Sequence, residues 1–107
     1  MKRYRVEWSE AASKDLENIF EYISQDSLHS TTKIFEKIKT KCKVLGQHPY
    51  RGRMIPELKA YEIVGYHELI IAPWRIIYRI SEEKVFVLAV IDSRKNIEDL
   101  LLERLLR

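Results

Sequence analysis

At 107 residues the chain has room for one modest hydrophobic core and no second domain, so residues 1–107 are read as a single unit. A composition of 46% hydrophobic and 33% charged residues, with three glycines and three prolines, is that of a folded soluble protein and excludes a disordered chain or a long flexible linker. The net charge of +3 is unevenly placed: between Ser27 and Ala60 eight basic residues stand against two acidic ones, which points to an anionic partner, nucleic acid or an acidic protein segment, or else to a solvated lysine face.

The first residues run into an alternating pattern without a signal-peptide apolar region, and no apolar run approaches membrane-spanning length, so a cytoplasmic location is expected. Lys2 to Trp8 alternates, with Tyr4, Val6 and Trp8 against Arg3, Arg5 and Glu7, and reads as a strand with one buried face. Ser9 offers a helix N-cap with Glu10 in the first turn. Ala12, Leu16, Ile19, Phe20 and Ile23 then form one apolar stripe of a helix running to Gln25.

Asp26 to Ser30 breaks that pattern, and Ser27 or Ser30 caps a second helix whose stripe is Ile34, Phe35, Ile38, Cys42 and Leu45. Gly46 and Pro49 end it. So short a connection predicts an antiparallel helix hairpin, with Lys33, Lys37 and Lys41 as an outward basic row. Cys42 has no partner for an internal disulfide and reads as core filler. With no second cysteine or paired histidine at ligand spacing, neither a metal nor a cofactor is expected.

His48 to Glu57, followed by Leu58, reads as a loop that delivers Arg51 and Arg53 beside the basic helix. Tyr61 to Val64, His67 to Ala72, Trp74 to Ile80 and Val85 to Ile91 are strand-like, the last apolar on both faces and therefore central. In the third of these, Trp74, Ile76, Tyr78 and Ile80 form a core face. Arg75, Ile77 and Arg79 lie opposite, the two arginines roughly 13 Å apart along the strand. Either something anionic meets them, or they pair with Glu68 or Glu62 across the strands.

Ser93 or Asn96 opens a final helix over 97–107. Its Ile97, Leu100, Leu101, Leu102, Leu105 and Leu106 cover more than one core face, so it is either wedged between two surfaces of its own domain or awaits a partner through Leu101, Leu102, Leu105 and Leu106. The expected fold is α+β: an N-terminal strand, an antiparallel helix hairpin packed on an antiparallel β-sheet, and a C-terminal helix.

Val6-Glu-Trp-Ser-Glu-Ala-Ala12, Asp15-Leu-Glu-Asn-Ile19, Leu45 with Pro49, Gly52-Arg53, Ile55-Pro-Glu-Leu58, Glu68-Leu-Ile70, Trp74-Arg-Ile-Ile-Tyr78 and Val90-Ile-Asp-Ser-Arg94 together resemble the RelE/ParE superfamily of bacterial toxins. The Gly-Arg and Pro-Glu-Leu stretch is more similar to the ParE branch. The resemblance implies a toxin of a type II toxin–antitoxin system, wrapped and neutralised by the arm of a cognate antitoxin. ParE-like members act on DNA gyrase, whereas RelE-like members cut mRNA in the ribosomal A site. RNA cutting needs a group to take the 2′-OH proton, a group to protonate the leaving oxygen, and positive charge on the phosphate.

By that resemblance Arg75 matches the arginine facing the family's cleft and Arg53 the loop arginine before Pro-Glu-Leu. Arg51, Arg53, Arg75, Arg79 and Arg94 are thus candidates for binding an anion or a target. Catalytic candidates are Arg53, Arg75 and Asp92, with His67 and Glu68 as conceivable substitutes. The relatives that cut RNA often carry a histidine or tyrosine where this chain has Asp92-Ser93-Arg94, and an aspartate is a poor general acid at neutral pH. A gyrase-binding toxin is therefore the expected function. A ribosome-dependent RNA-cutting enzyme and a non-catalytic nucleic-acid-binding module are the alternatives, the latter lacking an aromatic platform or reading helix.

Overall fold

The computed structural model of the protein describes residues 3–25 and 27–105. Its elements run β1 (Arg5–Trp8), α1 (Glu10–Ser24), α2 (Leu28–Val44), β2 (Arg53–Met54), α3 (Pro56–Lys59), β3 (Tyr66–Ile71), β4 (Trp74–Ser81), β5 (Lys84–Asp92) and α4 (Ile97–Leu105). The five strands form one sheet in the order β1-β5-β4-β3-β2. It is antiparallel except at one edge, where β1 lies parallel to β5 with Val6 opposite Val85 and Trp8 opposite Val87.

The helix hairpin forms for the reasons its sequence suggests. Ser9 caps α1 by accepting the Ala12 N–H at 3.0 Å, and Ser27 rather than Ser30 caps α2, accepting the Ser30 N–H at 3.2 Å. Ala12 and Leu16 of α1 and Ile38 and Cys42 of α2 bury against Trp74, Ile76, Val87 and Val90 of the sheet. Farther along that face Tyr78 and Val85 pack with Leu45.

The opposite face of the sheet is also covered. Ile77, Ala89 and Ile91 pack with Ile55 and Leu58 around α3 and with Ile97 and Leu101 of α4. Asn96 caps this last helix through the Asp99 N–H at 3.2 Å. α4 packs onto its own sheet through Ile97 and Leu101.

Two local features depart from the strand pattern. Tyr61 to Val64 is not a strand but the closure of α3. The Ile63 N–H reaches the Leu58 carbonyl at 3.1 Å and the Glu62 N–H reaches the Lys59 carbonyl at 3.0 Å, with Glu62 at φ 57°. This is a Schellman arrangement, and Ile63 packs onto the same cluster as Leu58. In β5 the register slips by one residue, Ile77 facing Ala89 but Tyr78 facing Val87, so Leu88 bulges out of the ladder.

The bulge leaves a carbonyl to be satisfied. Leu88 accepts from the Ser9 hydroxyl at 3.4 Å and from Arg104 Nη1 of α4 at 3.1 Å. Asp15 of α1 completes the arrangement, accepting the Val90 N–H at 3.0 Å and Arg104 Nη1 at 3.1 Å. Side chains from two helices thus close the edge of β5 beyond the end of β1.

Candidate functional site

The register of β3 on β4 places Glu68 opposite Ile77 and Ile70 opposite Arg75, so Glu68 and Arg75 are diagonal neighbours on the face away from the hairpin. Pro56 at the first position of α3 directs the following Glu57 onto the same spot. Arg75 Nε bonds Glu68 Oε1 at 2.5 Å, while its Nη1 and Nη2 bond the two oxygens of Glu57 at 2.8 and 2.7 Å. Arg53, brought alongside Glu68 by β2, bonds Glu68 Oε2 through Nε at 2.7 Å.

The Arg75 side chain is 8% exposed and that of Glu68 fully buried. Hydrogen bonding to Glu57 raises the Arg75 pKa still further, and the same bond holds the Glu57 carboxyl below its ordinary range. Arg75 therefore lies on the face its strand parity predicts but does not offer its charge to a ligand. Two carboxylates neutralise it. The pairing with Glu68 is the one open from the sequence; the second partner is Glu57, and Glu62 stands exposed in the turn after α3.

On the hairpin face Tyr78 is completely buried and its hydroxyl fastens the loop after α2. It donates to the Pro49 carbonyl at 2.7 Å and accepts the Gly52 N–H at 2.9 Å. Gly52 is close-packed: a Cβ there would lie 2.4 Å from the Glu68 carbonyl oxygen and 2.5 Å from the Tyr78 hydroxyl. The His67 ring lies against that of Tyr78, centroids 5.7 Å apart, and meets the Tyr50 ring edge-on at 5.8 Å. Its Nδ1 is buried without a hydrogen-bond partner, and burial lowers the imidazole pKa.

Asp92 is bound by its neighbour Arg94, Nη2 to Oδ2 at 2.6 Å and Nε to Oδ1 at 2.9 Å, which lowers its carboxyl to about 2. It is a carboxylate at neutral pH and cannot act there as a general acid. Arg94 is exposed but committed to Asp92. Arg79 is exposed, with its guanidinium 5.9 Å from the Phe86 ring centroid. Arg51 is exposed on the fastened loop, and the Arg53 side chain is 55% exposed despite its bond to Glu68. The candidate arginines therefore do not converge: Arg51 and Arg53 share one rim of the sheet, while Arg94 sits at the end of β5.

Of the four leucines of α4 expected to meet a partner, one is corrected. Leu101 is 0% exposed and cannot meet a partner, because it fills the core between α4 and Ile77. Leu102 and Leu105 are half-buried against the same cluster, Leu100 is the outward one at 36%, and Leu106 lies outside the described residues. Lys33, Lys37 and Lys41 are exposed as a row, whereas Lys39 folds over the Trp8 ring with Nζ 4.6 Å from its centroid. The ion pair between Asp15 and Arg104 has no simple sequence signal, since its partners are 89 residues apart. Among the described residues no helix is long and apolar enough to cross a membrane.

With this geometry in view, the family model described as ParE toxin of type II toxin–antitoxin system, parDE, matches residues 6–97. A solved chain titled as a chromosomal ParDE toxin–antitoxin system from P. aeruginosa is similar in fold with a TM-score of 0.68 and 20% identity, over 84% of this chain and 96% of that one. A chain from the RelBE2 toxin–antitoxin complex of Mycobacterium tuberculosis gives 0.56 and 22%, over 86% and 93%. Comparison with curated proteins gives no match.

Proposed function

The chain belongs to the ParE toxins of type II toxin–antitoxin systems, and on that premise we propose that it arrests growth by binding DNA gyrase, and that a cognate antitoxin neutralises it. The observation that carries a binding mode over RNA cutting is the neutralised Arg75. Two carboxylates occupy every nitrogen of its guanidinium that can donate, so a phosphate approaching that face meets a net-neutral cluster of Glu57, Glu68, Arg75 and Arg53.

The proton-transfer half of such chemistry has no occupant either. Asp92 is ionised far below neutrality, Glu57 is held as a carboxylate by Arg75, and the His67 Nδ1 faces the interior. An antitoxin partner is supported by the similar chains, both of which come from toxin–antitoxin assemblies. Paired assays test the proposal: purified gyrase with relaxed plasmid, and translating ribosomes with a reporter mRNA. Inhibited supercoiling with intact message is expected. Codon-dependent mRNA cleavage with unaffected gyrase would overturn it.

A further inference from the structure

We propose that the rim formed by Tyr50, Arg51 and Met54 is the surface that grips the target, and that it fits an acidic protein surface with an apolar recess. This rests on the reading of the chain as a toxin that acts by binding, and adds the site to it.

The side chains come first. Tyr50 is 67% and Met54 47% exposed, and both border His67. Arg51 is exposed and has no ion-pair partner among the described residues. Tyrosine, methionine and arginine are the types enriched where proteins meet, and tyrosine and arginine dominate binding energy there.

Rigidity is the second, independent observation. A surface loop needs no buried tyrosine to hold it, yet this one is fastened by both hydrogen bonds of the Tyr78 hydroxyl, by the tight seat of Gly52 and by β2 pairing onto β3. A loop ordered in advance loses less entropy on binding. The unpaired Arg51 calls for a carboxylate or a phosphate. An exposed methionine is stabilised by an apolar recess, which a protein offers and a phosphate backbone does not, and this favours a protein partner.

The test uses the whole protein with purified gyrase and relaxed plasmid. Arg51→Glu, Tyr50→Ala and Met54→Ala are made singly, with Lys33→Glu, exposed in the N-terminal half of α2, as the charge control and thermal unfolding as the check on folding. Each rim variant is expected to fold normally, and Arg51→Glu and Tyr50→Ala to raise the half-inhibitory concentration about ten-fold or more, with Lys33→Glu unchanged. Folded rim variants that all inhibit within about two-fold of the parent would overturn the surface while leaving the gyrase reading standing. If the parent does not inhibit gyrase at all, both fall. Should a short DNA duplex alone bind the parent and lose affinity with Arg51→Glu, the partner is nucleic acid and the protein assignment is overturned.

Discussion

Glu57 and Arg75, eighteen residues apart in the chain, meet through two parallel hydrogen bonds of 2.7 and 2.8 Å, and the third side of the same guanidinium rests on buried Glu68. The arrangement turns the most conspicuous charge on the sheet into a structural one. Removing Glu68 leaves the buried Arg75 Nε without its acceptor and the guanidinium with Glu57 alone to neutralise it. Glu68→Ala is therefore expected to destabilise by about 3–5 kcal/mol, and Glu57→Ala, at the more exposed end, by less. Replacing Arg75, Glu57 and Glu68 together with apolar residues of similar size should cost far less than Glu68→Ala alone. Urea denaturation of the single and triple variants measures both.

Gly52→Ala is expected to be costly although the residue sits in a loop. Two of the nearest atoms, the Glu68 carbonyl oxygen and the Tyr78 hydroxyl, are held by the sheet and cannot retreat together. A loss of about 2 kcal/mol or more should appear as a lowered urea midpoint. An unchanged midpoint would mean the loop moves freely away from Tyr78.

The half-buried His67 imidazole predicts a direction with pH. Burial lowers the His67 pKa below its ordinary value of 6.5, so between the two values the unfolded chain binds more protons than the folded one. The stability from keeping His67 neutral is complete above pH 6.5 and declines as pH falls toward the folded pKa. Replacing His67 by phenylalanine should flatten stability between pH 7.5 and 5.5, read from denaturation midpoints at each pH. The same slope in parent and variant would exclude His67 as its source.

Within α4, adjacent leucines should behave oppositely. Leu101→Ala opens a cavity at a position with no solvent exposure and is expected to cost about 2–5 kcal/mol. Leu100→Ala, at 36% exposure, should fall within about 1 kcal/mol of the parent. Equal effects would show that α4 does not pack as described.

Cys42 should be inert in the native protein. Burial pushes its thiol up to about 12, so almost none is thiolate at pH 8 and the sulfur is shielded as well. A chromogenic thiol reagent at pH 8 is expected to react only after unfolding. Rapid native labelling would show that the hairpin opens at Cys42.

Much of the fold was legible because its burial is periodic. The stripes of α1 and α2 apart from exposed Phe20, the cap at Ser9 and the two faces of Trp74 to Ile80 need only the 3.6 and 2.0 residue repeats to be read, and the structure has them in place. Where the period is silent, the pattern carries no detail. Val85 to Ile91 is apolar on both faces, so nothing in its pattern marks the slip at Leu88. Tyr61 to Val64 has strand composition, but its Schellman closure places Glu62, not a glycine, at positive φ and so lacks the usual signal.

The sequence by itself determined which residues carry charge, which strand face Arg75 occupies and which elements must share a core, because these follow from residue type and local repeat. Tertiary structure alone decided what those charges do. Whether Arg75 meets solvent or a carboxylate depends on α3 carrying Glu57 over it, and whether Leu101 faces a partner or Ile77 depends on α4 turning back onto the sheet. Both are contacts between segments far apart in the chain, set by how whole elements pack, and no local pattern of residues encodes them.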